Sequence, residues 1–182
     1  MKEIEFRELQ SLSEEQRAKL RELQMLCFPK LTEQTYKEDY HHPAALHIIC
    51  LHEEQLIAWA AIHYSDIEFE GRALRLGGYG ICTHPEWRHQ GLARRLSALA
   101  LEHLKDAKVD VAFHAVDMGE PSSIRFHEKK GFVIFRRPFS WTDIHGERKE
   151  KHGSMLMPMN SREDFEAILV GKDVLHVGQG YW

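Results

Sequence analysis

The sequence lacks an apolar run long enough to cross a membrane. Its longest runs, such as Leu56–Ile62, fall far short of the roughly 20 apolar residues that a spanning helix needs. The beginning of the chain also lacks the apolar stretch of a signal peptide, because charged residues interrupt it. These residues are Lys2, Glu3, Glu5, Arg7 and Glu8. We therefore expect a cytoplasmic protein that has no membrane partner.

Cysteine is scarce. The three cysteines, Cys27, Cys50 and Cys82, are odd in number and widely spaced. That pattern argues against a disulfide framework and against a closed zinc site, so we expect reduced thiols in the core. The 13 histidines include the adjacent pair His41 and His42, but they form no recognised ligand pattern. We predict no bound metal.

The chain also lacks an excess of positive charge. It carries 24 Lys and Arg residues against 28 Asp and Glu residues, for a formal net charge of -4. Such a balance gives no field that would attract nucleic acid, and a small, cationic substrate fits better. The length of 182 residues, 43% of them hydrophobic, is typical of one globular domain. We expect a single domain over residues 1–182.

Hydrophobic periodicity predicts two helices followed by a set of strands. The spacing of apolar residues predicts a helix over Glu14–Phe28, with Ser13 as its N-cap. A second short helix is predicted over Thr32–Tyr40, which ends before Pro43 because proline cannot continue it. The period then changes to that of an antiparallel strand meander. Its predicted strands are Leu46–Leu51, Leu56–Tyr64 and Leu74–Thr83.

The remainder alternates helices with strands. The predicted elements are a helix over Arg88–Lys105, a strand over Val109–Ala115, a helix over Pro121–Lys130 and a strand over Phe132–Phe139. They are followed by a charged, turn-rich segment over Asp143–His152, a short strand over Met155–Met159 and a helix from Ser161 through Leu169. The order β–β–β–α–β–α–β predicts an α/β fold with a mixed, mostly antiparallel sheet flanked by helices.

The segment Arg88–Ala93 joins a predicted strand to a predicted helix. At such a junction free backbone N–H groups and the helix dipole favour an anion such as a phosphate. Gly91 removes a side chain that would block close approach, and Arg94 and Arg95 add positive charge nearby. An ordinary helix start with a tolerated glycine stays open as the alternative. Neither G-x-x-x-x-G-K-S/T nor a G-x-G-x-x-G after a strand is present, which excludes the common kinase and dehydrogenase folds.

Two strings carry a family resemblance. Arg88-His89-Gln90-Gly91-Leu92-Ala93 resembles the pyrophosphate-binding motif of the GNAT acetyltransferases, and Ser123–Phe132 resembles their A-I-x-L-Y-x-x-x-G-F segment. The resemblance implies a sheet splayed at one strand, acetyl-CoA (coenzyme A) as co-substrate, and pantetheine paired with the backbone of that strand. The implied cofactor-binding residues are Ile81, Cys82, Thr83, Arg88, His89, Gln90, Gly91, Leu92, Ala93 and Arg94.

Over nearly its whole length the chain is diffusely similar to the aminoglycoside 2′-N-acetyltransferases. The similarity rests on Arg72–Arg75, Trp87-Arg88, Gly131-Phe132 and an apolar, aromatic C-terminus. Acidic residues that hold the drug's ammonium groups in that family align with Lys30, Thr35 and Lys151, and a glutamate of its pantetheine strand aligns with Tyr79. We therefore expect poor acetylation of aminoglycosides.

Four residues are the main candidates for catalysis or amine binding, and His84 and His114 are reserve bases or structural histidines. His127 matches the family's tyrosine that protonates the leaving thiolate, as an imidazolium or as a neutral ring acting through water; the alternative is a partly exposed structural histidine. Tyr79 is a candidate for catalysis and amine binding, or a core tyrosine. Asp117 binds the amine or caps the loop before Gly119. Trp182 offers a carboxylate to the amine or belongs to a frayed tail.

The resemblance implies direct transfer of an acetyl group from acetyl-CoA to a primary amine of a small molecule, without a covalent enzyme intermediate. Residues 142–182 would complete the acceptor site. Three alternatives stay open: an aminoglycoside acetyltransferase proper, a CoA-binding sensor that has lost turnover, and an enzyme that acts on a protein N-terminus or lysine. A homodimer also stays open.

Overall fold

The computed structural model describes residues 4–28, 44–143 and 145–180. The predicted helix Thr32–Tyr40 lies outside these residues. The elements are β1 (Ile4–Leu9), α1 (Glu14–Cys27), β2 (Leu46–His52), β3 (Gln55–Phe69), β4 (Arg72–Thr83), a 3-10 turn (Pro85–Trp87), α2 (Leu92–Asp106), β5 (Val111–Ala115), α3 (Pro121–Glu128), β6 (Val133–Phe135), β7 (Phe139–Thr142), β8 (Arg148–Lys151), β9 (Ser154–Pro158), α4 (Arg162–Val170) and β10 (Leu175–Gln179). Within the described ranges no helix is both long and apolar enough to span a membrane.

The chain divides into two compact units. Among the described residues, the first unit contains 4–28, 44–63 and 79–103, and the second contains 64–78, 104–143 and 145–180. The prediction of a single domain therefore stays a prediction.

In the first unit the strand order is β1-β2-β3-β4. β1 pairs antiparallel with β2, and β2 pairs antiparallel with β3. The predicted N-cap of α1 is confirmed: Ser13 and Gln16 form a reciprocal capping box, which satisfies two backbone N–H groups at the start of the helix. Leu20 and Leu23 of α1 pack into a core with apolar residues of the strands. The other members of this core are Leu12, Ile49, Leu56, Trp59, Ala61 and Cys82.

In the second unit the strand order is β3-β4-β5-β9-β6, beside a three-stranded sheet β10-β7-β8. β4 pairs in parallel with β5, whereas β9 pairs antiparallel with both β5 and β6. In the small sheet β7 pairs in parallel with β10 and antiparallel with β8. The core of this unit includes Phe113, Phe139, Leu156 and Ile168, none of which is exposed. The predicted fold class, a mixed and mostly antiparallel sheet with flanking helices, is confirmed.

The helix α4 is held at both ends by the turn between β3 and β4. Arg72 pairs with Glu163 and Asp164 in the first turn of α4, at 2.8 and 3.2 Å. Beyond the other end of α4, a side-chain oxygen of Glu70 accepts hydrogen bonds from the backbone N–H groups of Lys172 and Asp173. The turn and the helix are therefore linked through two separate sets of contacts.

The predicted strand Phe132–Phe139 is confirmed only over Val133–Phe135. The chain forms β6 and β7 there, and they belong to different sheets. Pro138 lies between them, and proline removes a backbone donor and fixes φ, so a continuous ladder cannot form. Arg137 turns towards α4, where it donates to the carbonyl of Ile168 at 2.9 Å.

Other boundaries differ because the sequence pattern was weak or misleading. The helix predicted from Arg88 begins at Leu92, because His89 and Gly91 have φ values of 64° and 83°, which no α-helix contains. β8 consists only of charged residues and falls in the segment expected to be turn-rich. The sequence also gave no prediction of β1 or β10, whose few apolar positions alternate with polar ones.

Gly77 marks a close approach between β4 and the segment that follows α2. A Cβ atom at this position would lie 2.7 Å from Cγ2 of Val109 and 2.9 Å from Cδ2 of Leu104, closer than carbon atoms can pack. We expect Gly77→Ala to destabilise the protein by about 1–3 kcal/mol, as overpacked core substitutions do. Urea unfolding measures the change.

Gly80 of the same strand provides the matched control. A Cβ atom there would lie 3.7 Å from the Trp59 ring, an ordinary contact, so Gly80→Ala should leave the unfolding midpoint almost unchanged. Equal midpoints for the two variants would contradict the packing described for Gly77.

Candidate functional site

The loop Arg88–Gly91 connects the 3-10 turn to α2 and lies at the surface. The backbone N–H of Arg95 donates to the carbonyl of Gly91 at 3.0 Å, which is the first α-helical hydrogen bond. The N–H groups of Leu92–Arg94 therefore precede the helical ladder and have no acceptor within it. Together with the helix dipole they favour an anion.

Arginine side chains surround this helix start. Arg88 is tied back to β4, since its Nε donates to the carbonyl of Thr83 at 3.2 Å. The Arg95 guanidinium stacks 4.0 Å from the centre of the Phe6 ring, so it is already engaged in the first unit. Arg94 is exposed on the first turn of the helix. Arg88 and Arg94 are thus the two arginines best placed to add positive charge to the anion site.

Tyr79 lies in the core. It is only 2% exposed, and its hydroxyl shares a hydrogen bond of 2.5 Å with the Ser97 hydroxyl of α2. Burial raises the pKa of Tyr79 to about 12, although the Ser97 hydrogen bond opposes the shift. The hydroxyl is therefore neutral near pH 7 and does not serve as a phenolate base. Of the two roles predicted for Tyr79, its burial agrees with that of a core tyrosine.

Cys27 contacts the strand that carries the predicted pantetheine residues, a contact that the sequence did not indicate. Its Sγ donates to the carbonyl of Thr83 at 3.2 Å, beside the Arg88 donor to the same oxygen. Ile81 is partly exposed, whereas Cys82 and Thr83 are buried. No spacing rule links Cys27 to this strand, because the two are far apart in the chain and meet only through the packing of α1.

His127 is buried in the second unit, at the end of α3, with 5% of its surface exposed. Its ring centre lies 4.3 Å from that of His114 and 5.4 Å from that of Phe132. Burial, together with the charge of Lys130, lowers the pKa of His127 to about 4. The alternative prediction that His127 is partly exposed is therefore wrong, and the imidazolium form is absent near neutral pH. Only the neutral-ring role remains open for His127.

The other candidate side chains fall in different surroundings. The Asp117 carboxylate accepts a hydrogen bond from the backbone N–H of Gly119 at 2.9 Å, as expected of the loop cap. Trp182, Lys30 and Thr35 lie outside the described residues. Assignment of Asp117 and Trp182 to amine binding stays a prediction.

No group of three or more histidine, cysteine, aspartate or glutamate side chains that could hold a metal ion occurs in the part of the chain described here.

The class of the protein, an acyltransferase, follows from a match to a family model. The family model described as the acetyltransferase (GNAT) family matches residues 16–132, which is more than half of the chain. The protein belongs to the GNAT acetyltransferase family.

A curated relative and two solved structures show similarity. A mycothiol acetyltransferase from Nocardiopsis dassonvillei is 31% identical over 81 residues, a match that covers 42% of this chain and 24% of that protein. The chain thus spans about a quarter of the length of that relative. The ribosomal-protein-S18-alanine N-acetyltransferase from Escherichia coli is 14% identical with a TM-score of 0.62, over 89% of this chain and 97% of that one. A GNAT-family acetyltransferase from Streptococcus pneumoniae is 16% identical with a TM-score of 0.57, over 86% and 99%. These structures are similar in fold.

Proposed function

We propose that the protein transfers the acetyl group of acetyl-CoA to a primary amine of a small molecule by direct attack. The observation that carries the proposal is the start of α2. There, three N–H groups outside the helical ladder, a glycine with positive φ and two arginines offer a site for a pyrophosphate. Membership of the GNAT family supplies acetyl-CoA as the expected donor.

In this proposal the cofactor is bound mainly by backbone groups. The N–H groups of Leu92–Arg94 hold the pyrophosphate, with charge added by Arg88 and Arg94. The pantetheine amides pair with the end of β4 as a short additional strand would. Because the carbonyl of Thr83 already accepts two hydrogen bonds, from Cys27 and Arg88, the carbonyl of Ile81 is the better acceptor for a pantetheine amide.

The reaction requires a neutral amine that attacks the thioester carbonyl, followed by departure of the CoA thiolate, which takes up a proton. Tyr79 cannot remove the amine proton as a phenolate, since its pKa is raised to about 12 by burial. We assign His127 the role of passing a proton to the thiolate through water as a neutral ring, with solvent as the alternative donor.

The acceptor is the least constrained part of the proposal. The resemblance to the aminoglycoside 2′-N-acetyltransferases favours a small amine. The acidic residues that bind the drug in that family align with Lys30, Thr35 and Lys151 in this chain, which argues against the drug itself. Lys151 is exposed at the end of β8. A protein N-terminus is the second candidate, because the similar fold from Escherichia coli is named for a ribosomal-protein alanine.

We predict that tobramycin and kanamycin are poor substrates compared with simple arylalkylamines or polyamines. A polycationic drug needs several carboxylates near its ammonium groups, since each buried, unpaired charge carries a desolvation cost of several kcal/mol. Release of CoA thiol, measured for each amine and for short peptides with free N-termini, gives kcat/KM for every acceptor class. We expect the best simple amine to exceed both drugs by about 100-fold or more, which corresponds to roughly 2.7 kcal/mol.

Efficient drug turnover, with kcat/KM near about 10⁴ M⁻¹s⁻¹ or above, would contradict the charge argument. A preference for peptides would favour the second candidate. If acetyl-CoA binds but no amine and no peptide causes release of thiol, the function would be that of a CoA-binding sensor.

A further inference from the structure

Two cysteine side chains meet in the first unit. Cys27 is the last residue of α1, and Cys82 is near the end of β4. Cys82 is 5% exposed and belongs to the core that contains Leu23 and Trp59, against which the partly buried Cys27 packs. The Sγ of Cys27 donates to the carbonyl of Thr83, the residue after Cys82, at 3.2 Å. α1 and β4 thus place a partly buried thiol and a buried thiol in the same core.

The surroundings of Cys27 favour its thiolate. The pKa of Cys27 is lowered to about 7, mainly by the hydrogen bond from Cys82 and also by hydrogen bonding and charge from the Arg88 guanidinium. Burial opposes this shift, and so does the position of Cys27 at the C-terminal end of a helix. The same pair raises the pKa of Cys82 well above its usual range. Near pH 7 Cys27 is therefore present both as the thiol, which donates to Thr83, and as the nucleophilic thiolate, whereas Cys82 keeps its proton.

We propose that Cys27 is a peroxide-reactive thiol and that Cys82 is its resolving partner. A partly exposed thiolate beside a guanidinium is the environment in which cysteines react with hydroperoxides. The contact with Cys82 supplies the second thiol that turns a sulfenic acid into a disulfide. A disulfide requires the two sulfur atoms to approach to about 2.05 Å, and the packing of Cys27 against the core that contains Cys82 brings the two side chains near each other.

The reaction balances with a hydroperoxide as the oxidant. The Cys27 thiolate attacks one peroxide oxygen, the O–O bond breaks, and Cys27 becomes a sulfenic acid while hydroxide or an alkoxide leaves and takes up the proton that the Cys27 thiol released. The Cys82 sulfur then attacks the Cys27 sulfur, the S–O bond breaks, and the thiol proton of Cys82 leaves with the oxygen as water. Two thiols are oxidised to one disulfide, and one hydroperoxide is reduced.

The third cysteine gives an internal control. Cys50 is fully buried, and burial raises its pKa to about 11, so it should not react in the folded protein. Trypsin places the three thiols in separate peptides, residues 22–30, 38–72 and 76–88. Mass spectrometry therefore reports each cysteine separately without any substitution.

The test uses the reduced protein without added cofactor, titrated with hydrogen peroxide and then alkylated. We expect peptides 22–30 and 76–88 to become joined with loss of the mass of two hydrogen atoms, at least about ten times faster than Cys50 is oxidised. In Cys82→Ser or Cys82→Ala protein, dimedone should instead capture the Cys27 sulfenic acid. Cys50→Ser should leave the cross-link unchanged.

A cross-link that includes Cys50, or dimedone capture on Cys82 in Cys27→Ser protein, would overturn the proposal. So would oxidation of Cys27 no faster than that of Cys50. These measurements need no acetyl-CoA and no amine, so they are independent of the proposed acetyl transfer.

Discussion

Replacing Gly91 with asparagine weakens acetyl-CoA binding by about 100-fold or more and leaves the fold intact. Gly91 has a φ of 83°, in the left-handed region that asparagine tolerates better than other residues with a side chain. The asparagine side chain nevertheless fills the space through which a pyrophosphate would approach the N–H groups of Leu92–Arg94. Loss of two charge-assisted hydrogen bonds, at roughly 1.5–3 kcal/mol each, accounts for such a change in affinity. Calorimetric titration with acetyl-CoA measures it.

A matched control exists at Gly146, whose φ is 80° and where a Cβ atom would meet open space. Gly146→Asn requires the same left-handed backbone in a turn that is not part of the candidate anion site, and should bind acetyl-CoA as the unsubstituted protein does. Unchanged affinity in a folded Gly91→Asn protein would remove the anion site at α2, and with it the basis of the cofactor assignment.

The free energy of unfolding falls as the pH drops from neutral towards 5, because of the buried pair His114 and His127. Burial is the main cause that lowers the pKa of both histidines. Together with the charge of Lys130, it lowers the pKa of His127 to about 4. The pKa of His114 lies well below its usual value because of burial and the charge of His127. Below the unfolded-state pKa of 6.5 the unfolded chain binds protons that the folded chain does not, so stability is lost as the pH falls. His127 alone should contribute a loss of about 2 kcal/mol between pH 7.5 and pH 5, and His114 adds to it.

His127→Phe keeps an aromatic ring in contact with Phe132 and removes the titrating group. Its unfolding free energy should therefore depend less on pH by about 2 kcal/mol over the same range, as measured by urea unfolding at each pH. His145→Gln, at an exposed position, is the control and should keep the full pH dependence. If His127→Phe keeps it as well, the burial described for this ring does not govern the acid stability.

The same variant tests the proposed proton transfer. If the neutral His127 ring protonates the thiolate through water, kcat should fall by about ten- to a thousand-fold while acetyl-CoA affinity is unchanged. An unchanged kcat would assign the proton to solvent.

Much of the fold could be predicted because its elements carry strong local signals. Ser13 followed by Gln16 gives the start of α1, and the period of the apolar residues gives most of β4 and the part of β3 up to Tyr64. β8 could not be predicted in this way, since its stability comes from pairing with β7 and not from apolar residues of its own. The break between β6 and β7 was available in the sequence, at Pro138, but the flanking aromatic residues obscured it.

In the candidate site, too, features with local causes could be predicted and features with non-local causes could not. The loop Arg88–Gly91 could be located from the sequence because a glycine at a strand–helix junction has local consequences for the backbone. The burial of Tyr79 and His127 could not, because each depends on residues distant in the chain, Ser97 for the first and His114 and Phe132 for the second. The contact of Cys27 with Thr83 is of the same non-local kind.

The backbone at Gly71 suggests that the turn between β3 and β4 would accept an inserted tag or reporter domain, since Gly71 has a positive φ and open space around it. Its contacts with α4 argue otherwise. Glu70 and Arg72, on either side of Gly71, hold opposite ends of that helix. An insertion between them would separate the two sets of contacts and loosen α4 at both ends. The turn between β7 and β8, around Gly146, has no such tie to a helix among the contacts described and is the better site for engineering.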